Sequence, residues 1–102
     1  MTIEDIRSRC KDDKIEVTAH VLLRFQQRSI SYTEIKEVIM NGEIIEDYPE
    51  DYPYPSCLIF GYTVHNRVLH VVVGMSEDKL WLITAYQPNP EQWSEDFRVR
   101  KG

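Results

Sequence analysis

Apolar residues recur at helical spacing through the first 42 positions and at extended spacing through most of the remaining chain. The first part predicts three helices: a short one from Thr2, a second from Thr18 to about Arg28, and a third from Ser31 to Gly42. Thr and Ser at these starts can accept hydrogen bonds from backbone N–H groups of the first helical turn. Gly42 is expected to end the third helix in the left-handed conformation.

The third helix has the clearest start signal in the chain. Ser31 and Glu34 have the spacing of a capping box, in which each side chain bonds the backbone N–H of the other residue. Ile30 and Ile35 flank this box at the positions of a hydrophobic staple. These four residues predict a well-defined helix start directly after a short link.

The extended part predicts four strands, at residues 43–47, 56–64, 67–75 and 80–87. Asn66 tolerates a positive φ and predicts a tight turn between the second and third of these strands. Asn89 and Pro90 suit the start of a short closing helix. Residues 14–17 are ambiguous, and one interpretation of them is a short extended piece. The proline-rich stretch 48–55 predicts an ordered loop with aromatic anchors.

Helices followed by strands predict a single α+β domain over residues 1–102. We expect N-terminal helices packed on one face of a curved, mainly antiparallel four-stranded sheet, with the short C-terminal helix closing the chain. Trp93 and Phe97, four positions apart in that closing helix, are expected to pack back on the sheet. No internal repeat or linker divides the sequence.

Charge is distributed unevenly along the chain. There are 12 basic and 17 acidic residues, a net charge of −5. The whole excess comes from one run: Glu43, Glu46, Asp47, Glu50 and Asp51. Net negative charge repels phosphate and counts against a general nucleic-acid binder, but the balanced remainder leaves room for a local basic groove. The run itself is typical of a solvated loop, or of a surface that docks a partner protein.

Several classes of protein are not indicated. No apolar run is long enough for a membrane span, and the first residues lack the features of a secretory signal. Two cysteines do not make a disulfide framework, so a cytoplasmic protein with free thiols is expected. His and Cys residues show no paired ligand spacing, and no glycine-rich phosphate loop is present, so we expect neither a metal nor a cofactor.

His20, Arg24 and Arg28 follow one another at intervals of four residues along the second helix. This spacing places them in one stripe beside the apolar arc of the helix, which is formed by Val21, Leu22 and Phe25. Arginine forks hold phosphate oxygens, and histidine exchanges protons near neutral pH, so the stripe suits a phosphodiester substrate. The same pattern is also typical of the polar flank of an amphipathic helix.

His70, Thr84 and Tyr86 are candidates on the last two strands. Thr84 and Tyr86 share a face, but the place of His70 depends on register. A symmetric turn pairs His70 with Ala85 and sets it on the other face. A one-residue shift from a bulge near Gly74 brings all three side chains to one face. A buried structural histidine is the other interpretation.

In order along residues 18–97, the chain resembles the bacterial domain-of-unknown-function family DUF4258. The matching segments are His20-Val21-Leu22-Leu23-Arg24, Arg28-Ser29-Ile30-Ser31, Glu34-Ile35, Asn41-Gly42-Glu43-Ile44-Ile45-Glu46, Pro55-Ser56-Cys57-Leu58-Ile59-Phe60-Gly61, His70-Val71-Val72-Val73, Ile83-Thr84-Ala85-Tyr86, and Pro88-Asn89-Pro90 with Trp93. Ser29 stands where the family usually has Gly, which suggests a slightly different link between the helices.

This resemblance implies a fold like that of the RelE/ParE toxins, several of which are metal-independent ribonucleases acting on messenger RNA, in some cases on the ribosome. It implies a toxin with RNA as substrate and a small antitoxin protein as partner. His20 or His70 would be the general base or acid, Arg24 would stabilise the charge on phosphorus, and Thr84 and Tyr86 would position the phosphate. Arg28 would add a second phosphate contact.

Two further readings stay open beside this one. ParE-like relatives poison DNA gyrase instead of cutting RNA. A non-catalytic protein-binding module of the same fold, docking through the acidic stretch 43–51, is the alternative that the net charge favours. The enzyme hypothesis requires His20, Arg24, His70 and Tyr86 around one concavity, and the two-histidine mechanism fails if His70 faces away.

Overall fold

Three helices and five strands make up the fold, and the computed structural model describes all of residues 1–102. In chain order they are α1 (Ile3–Ser8), β1 (Ile15–Glu16), α2 (Ala19–Gln27), α3 (Tyr32–Asn41), β2 (Glu43–Tyr48), β3 (Ser56–Tyr62), β4 (Val68–Met75) and β5 (Leu80–Tyr86). The predicted α+β class is confirmed. None of the helices has the length and apolar character that crossing a bilayer would require.

The helix starts follow the local signals. Thr18 Oγ1 accepts from the backbone N–H of Val21 at 3.1 Å. At α3 the capping box is complete: Glu34 N–H donates to Ser31 Oγ at 3.1 Å, and Ser31 N–H donates to the Glu34 carboxylate at 2.9 Å. Ile30 and Ile35 beside it are both buried. The predicted helix starts are thus confirmed. They could be predicted from sequence because each depends on groups only a few residues apart.

The end of α3 differs from the prediction. Gly42 has an extended backbone, with φ of −92° and ψ of −167°, so the expected left-handed conformation is wrong. Glycine is needed here because of close packing. A Cβ on Gly42 would lie 2.5 Å from the carbonyl oxygen of Val38 and nearer still to that of Phe60.

The sheet has five strands in the order β1-β5-β4-β3-β2, not the four expected. The four strands of the predicted meander pair antiparallel. The fifth is the ambiguous stretch near residue 15: β1 pairs parallel with β5 through Ile15 opposite Leu80 and Glu16 opposite Trp81. Because β1 pairs with only two residues, the rest of that side of β5 is a free edge.

All three helices contribute to a core on one face of the sheet. α1, α2 and α3 bury Ile6, Phe25 and the stripe Ile35, Val38 and Ile39. The sheet contributes alternate residues to the same cluster: Cys57, Ile59, Leu69, Val71, Val73, Leu80, Leu82 and Ala85. Side chains at the intervening positions, including His70, therefore point to the opposite face.

The opposite face is covered in part by the last fifteen residues, 88–102, which we call the C-terminal segment. The predicted closing helix is wrong, because this segment forms turns and a single bridge between Trp93 and Arg100. The Asn89 side chain accepts from Glu91 N–H at 2.9 Å in a local turn. Phe97 then has a φ of 62°, which an α-helix does not allow. Trp93 nevertheless packs inward and is 2% exposed.

Candidate functional site

His20 and Arg24 lie on the exposed side of α2. Thr18 sets the start of this helix, and Phe25 faces the core, where it is 2% exposed. His20 and Arg24 lie outside the side of the helix that carries Phe25, and both side chains are exposed to solvent. Neither side chain makes a hydrogen bond or an ion pair within the chain.

Arg28, at the end of α2, reaches the free edge of β5. Its Nη1 donates to the carbonyl oxygen of Ala85 at 2.9 Å and to Thr84 Oγ1 at 3.1 Å. The bond to Ala85 satisfies a backbone carbonyl at the edge of β5, beyond the two residues that pair with β1. Both acceptors are uncharged, so Arg28 fastens α2 to the sheet edge while its positive charge remains uncompensated.

The stretch of sequence that carries His20, Arg24 and Arg28 contains no acidic residue. Residues 17–33 include His20, Arg24 and Arg28 but neither Asp nor Glu. The next carboxylate, Glu34, is bound by Arg67 at 3.3 Å and by the backbone of its own capping box. We call His20, Arg24 and Arg28 the α2 stripe. It is a patch of positive charge on a protein whose net charge is negative.

His70 lies on the face of the sheet opposite the helices. A bulge in the pairing of β4 with β5 sets the register that determines its neighbours. Met75 pairs with Leu80, as a symmetric turn predicts, but the register shifts by one residue between Val72 and Val73. As a result His70 is opposite Tyr86 rather than Ala85. Of the two registers that the sequence allowed, the shifted one is present, and His70, Thr84 and Tyr86 share a face.

The environment of His70 is fully enclosed, with no exposed surface. Its Nε2 lies 2.8 Å from the carbonyl oxygen of Phe97, and its Nδ1 lies 3.3 Å from the Tyr86 hydroxyl. A carbonyl only accepts, so Nε2 carries the proton, and in the neutral ring Nδ1 accepts from Tyr86. Burial lowers the pKa of His70, against an opposing effect of the Phe97 bond, so the neutral ring is favoured at pH 7.

Aromatic rings and ion pairs hold the C-terminal segment over this histidine. The Trp93 ring meets the His70 ring edge to face at 4.4 Å between centroids. The Arg100 guanidinium lies 4.6 Å from the Trp93 ring centre and bonds the Glu46 carboxylate at 2.9 Å. Burial works to raise the pKa of Glu46, but bonds from Arg100 and Tyr48 outweigh it and keep that pKa below its ordinary value.

The acidic run is therefore not one solvated loop. Glu43 and Glu46 belong to β2, and they pair with Arg98 and Arg100 of the C-terminal segment. Sequence analysis missed these pairs, although one signal was present. Two arginines two residues apart occur near the end of a chain whose excess of negative charge lies in a single run.

The residues predicted from sequence fall into separate groups. His70 and Tyr86 are in contact under the C-terminal segment, and Arg28 contacts Thr84 at the sheet edge. His20 and Arg24 are exposed on the helix layer, and no hydrogen bond, ion pair or ring contact joins them to His70 or Tyr86. The geometry required by the two-histidine mechanism is absent.

Metal coordination is not evident in the structure, where no group of three or more His, Cys, Asp or Glu side chains is placed to hold an ion. The two cysteines are free, and Cys57 is buried in the core. Burial, together with nearby Asp47, raises the pKa of Cys57 to about 12. This thiol is thus held in its protonated, unreactive form at neutral pH.

Comparisons with known proteins identify a family but no characterised relative. No curated protein and no solved structure matches the chain significantly. A family model described as "Domain of unknown function (DUF4258)" matches residues 17–87, a span that includes α2, α3 and the four antiparallel strands. Since this match covers more than half of the chain, the protein belongs to the DUF4258 family.

Proposed function

We propose that the protein is a metal-independent endoribonuclease of the toxin–antitoxin kind, which binds RNA phosphates along the α2 stripe. The observation that carries this proposal is the uncompensated charge of that stripe. His20 and Arg24 are solvent-exposed without any partner in the chain, and Arg28 contacts only uncharged acceptors. Exposed guanidinium groups of this kind suit the phosphate backbone of RNA.

The proposed chemistry uses one histidine, not two. The ribose 2′-hydroxyl attacks the adjacent phosphorus, the P–O5′ bond breaks, and the products are a 2′,3′-cyclic phosphate and a 5′-hydroxyl end. His20 takes the proton from the 2′-hydroxyl, and the leaving oxygen receives a proton from the protonated ring or from water. Arg24 offsets the negative charge that develops on the phosphoryl oxygens.

The other predicted residues receive supporting roles. Arg28, held by Thr84 and the Ala85 carbonyl, fixes the end of α2 and adds a second phosphate contact. His70 and Tyr86 are enclosed and satisfied by each other and by Phe97, so we assign them to anchoring the C-terminal segment. This assignment replaces the catalytic role that the family resemblance implies for His70.

The fold is consistent with this proposal. Helices packed on one face of an antiparallel meander are the arrangement expected for a relative of the RelE/ParE toxins. A cytoplasmic location, a small antitoxin partner and RNA as substrate follow from that relationship and belong to the same proposal. The alternative, docking of a partner protein through residues 43–51, loses the two carboxylates that Arg98 and Arg100 already engage, those of Glu43 and Glu46.

The experiment is cleavage of 5′-labelled single-stranded RNA by the purified full chain in the presence of EDTA. We expect His20→Gln and Arg24→Gln to slow cleavage by about 100-fold or more, within the range usual for loss of an acid–base or charge-stabilising group. His65→Gln is the matched control, because His65 is also an exposed histidine but lies in the β3–β4 turn.

Induced expression in bacteria extends the test to ribosome-bound messenger RNA. Growth arrest with new RNA 5′ ends, both lost in the His20 and Arg24 variants, is the expected result. Arrest with intact RNA would overturn the ribonuclease proposal in favour of a protein target such as gyrase. Cleavage that persists in both variants would overturn the assignment of the site.

RNA binding gives an independent measure of the phosphate contacts. Two or three contacts to a single strand predict that raising salt from 50 to 200 mM weakens binding roughly tenfold. A response to salt that is unchanged in Arg24→Gln would show that the α2 stripe is not the phosphate site.

A further inference from the structure

A second surface feature lies on the far side of the molecule from the core helices. It is a pocket of about 340 Å³ formed between the loop after β2 and strands β4 and β5. The residues that line it are Asp51, Tyr52, Pro53, Tyr54, Gly74, Trp81 and Ile83. Its volume is at the lower end of the range for ligand sites, so it can hold one small group and not an extended ligand.

Aromatic rings form the walls of this pocket. Tyr54 and Trp81 stack with their centroids 5.8 Å apart and their planes 22° from parallel. The indole Nε1–H of Trp81 donates to Ser76 Oγ at 3.3 Å, so this ring's polar group is already bonded within the chain. Tyr52, at the mouth, is 95% exposed. Pro53 and Pro55 flank Tyr54, and their fixed φ restricts the backbone of the loop at this point.

Gly74 of β4 keeps the pocket open. A Cβ at this position would lie 3.2 Å from Ile83 Cδ1 and 3.8 Å from Trp81 Cβ. Any larger side chain on Gly74 would therefore extend toward two residues of the lining and fill the space between them. The backbone of Gly74 has no positive φ, so the residue can be replaced without backbone strain.

Charge decides what kind of group the pocket accepts. Glu50 and Asp51 directly precede the aromatic residues along the chain, and neither of them takes part in an ion pair. The carboxylate of Asp51, which lines the pocket, accepts a hydrogen bond only from the uncharged Ser56 hydroxyl. A nucleobase can stack on aromatic rings, but the phosphate that it carries would be repelled by these carboxylates. A cation is attracted both by the carboxylates and by the ring faces.

We propose that this pocket binds an arginine side chain from a basic segment of a partner protein. A guanidinium is flat, stacks on aromatic rings and pairs with a carboxylate, and so matches both features of the site. One cation–π contact at a surface supports an affinity weaker than about 1 mM, too weak for a free small cation. The pocket therefore serves as one anchoring point within a larger contact made by a basic polypeptide.

The test follows the indole N–H signals of Trp81 and Trp93 in a ¹H–¹⁵N NMR spectrum of the full chain. The probe is a tetra-arginine peptide, and its matched control is tetra-citrulline, which has nearly the same shape without the charge. We expect a saturable shift of the Trp81 signal with the arginine peptide, an at least tenfold weaker effect with citrulline, and no shift of the Trp93 signal.

Variants separate the pocket from general attraction to an acidic surface. Gly74→Val, which fills the pocket, and Tyr54→Ala, which removes one exposed wall, are each expected to weaken peptide binding at least tenfold. The remaining signals of each spectrum report whether the variant is folded. Because Tyr54 is at the surface, we expect Tyr54→Ala to fold. It therefore keeps the proposal testable if Gly74→Val does not fold.

Other results would overturn the proposal. Unchanged affinity in a folded Gly74→Val or Tyr54→Ala variant would show that the peptide binds elsewhere. An equal response to citrulline or to uridine would indicate stacking without selection for charge. A Trp81 shift that depends on protein concentration alone would assign the pocket to a second copy of the chain. These outcomes are independent of the ribonuclease assays.

Discussion

Replacement of Trp93 by alanine tests whether the C-terminal segment is an integral part of the fold. Trp93 is 2% exposed, although it lies in a segment with no helix or strand of its own. Its ring packs against His70 at 4.4 Å and beneath the Arg100 guanidinium at 4.6 Å. If these contacts anchor the segment, their loss should affect the stability of the whole domain.

The expected effect follows from the kinds of contact removed. Replacing a buried Trp by Ala costs about 3–5 kcal/mol, a range that includes the cavity left behind. An edge-to-face pair adds about 0.5–1.5 kcal/mol and a surface cation–π contact about 0.5–1 kcal/mol. Because the segment is at the surface and can partly collapse, we expect a total loss of about 4 kcal/mol in the free energy of unfolding.

This loss is a large part of the roughly 5–15 kcal/mol that stabilises a typical domain. For a chain of this length it corresponds to a decrease in Tm of roughly 15–30 °C. The measurement is urea unfolding followed by far-UV circular dichroism, with Tm measured in parallel. Val99→Ala is the control, since Val99 is in the same segment but 63% exposed and should change the unfolding free energy by less than about 0.5 kcal/mol.

A loss below about 1 kcal/mol for Trp93→Ala would refute this reasoning. It would mean that the segment contributes little to folding and that His70 is enclosed by a weakly held cover. A decrease in the slope of the urea transition, without a change in its midpoint, would indicate instead that the variant exposes less surface on unfolding.

Three other predictions concern Gly42, His70 and the two cysteines. Gly42→Ala should destabilise the protein by about 1–3 kcal/mol in urea unfolding, because its Cβ would meet two backbone carbonyls, and a neutral result would contradict the close packing. Burial lowers the pKa of His70 below that of the unfolded chain, so the unfolded state binds more protons and stability should fall as the pH falls below about 6.5. That fall should vanish in His70→Gln and persist in His65→Gln, measured by urea unfolding between pH 7 and 5.5. Thiol labelling of the native protein should modify half-buried Cys10 slowly and leave Cys57 unmodified, and rapid labelling of Cys57 would show that the core opens.

The local features of this protein could be predicted from sequence because their causes are local. Thr18 and the Ser31–Glu34 pair satisfy backbone groups within one helical turn, so their effect does not depend on the rest of the fold. The change from helical to alternating periodicity near Gly42 likewise marked where helices end and strands begin.

Tertiary structure decided the features that depend on distant partners. The shift in register between β4 and β5 sets His70 opposite Tyr86, and the sequence allowed two registers because both satisfy the alternation of each strand. The C-terminal segment makes ring contacts with His70 and ion pairs with β2, about 25 to 55 positions away in sequence. These contacts outweigh the local tendency of Asn89 and Pro90 to start a helix, so the segment is not helical. Sequence alone therefore determined which residues are chemically capable, whereas long-range packing determined that His70 is enclosed and that His20 and Arg24 face solvent.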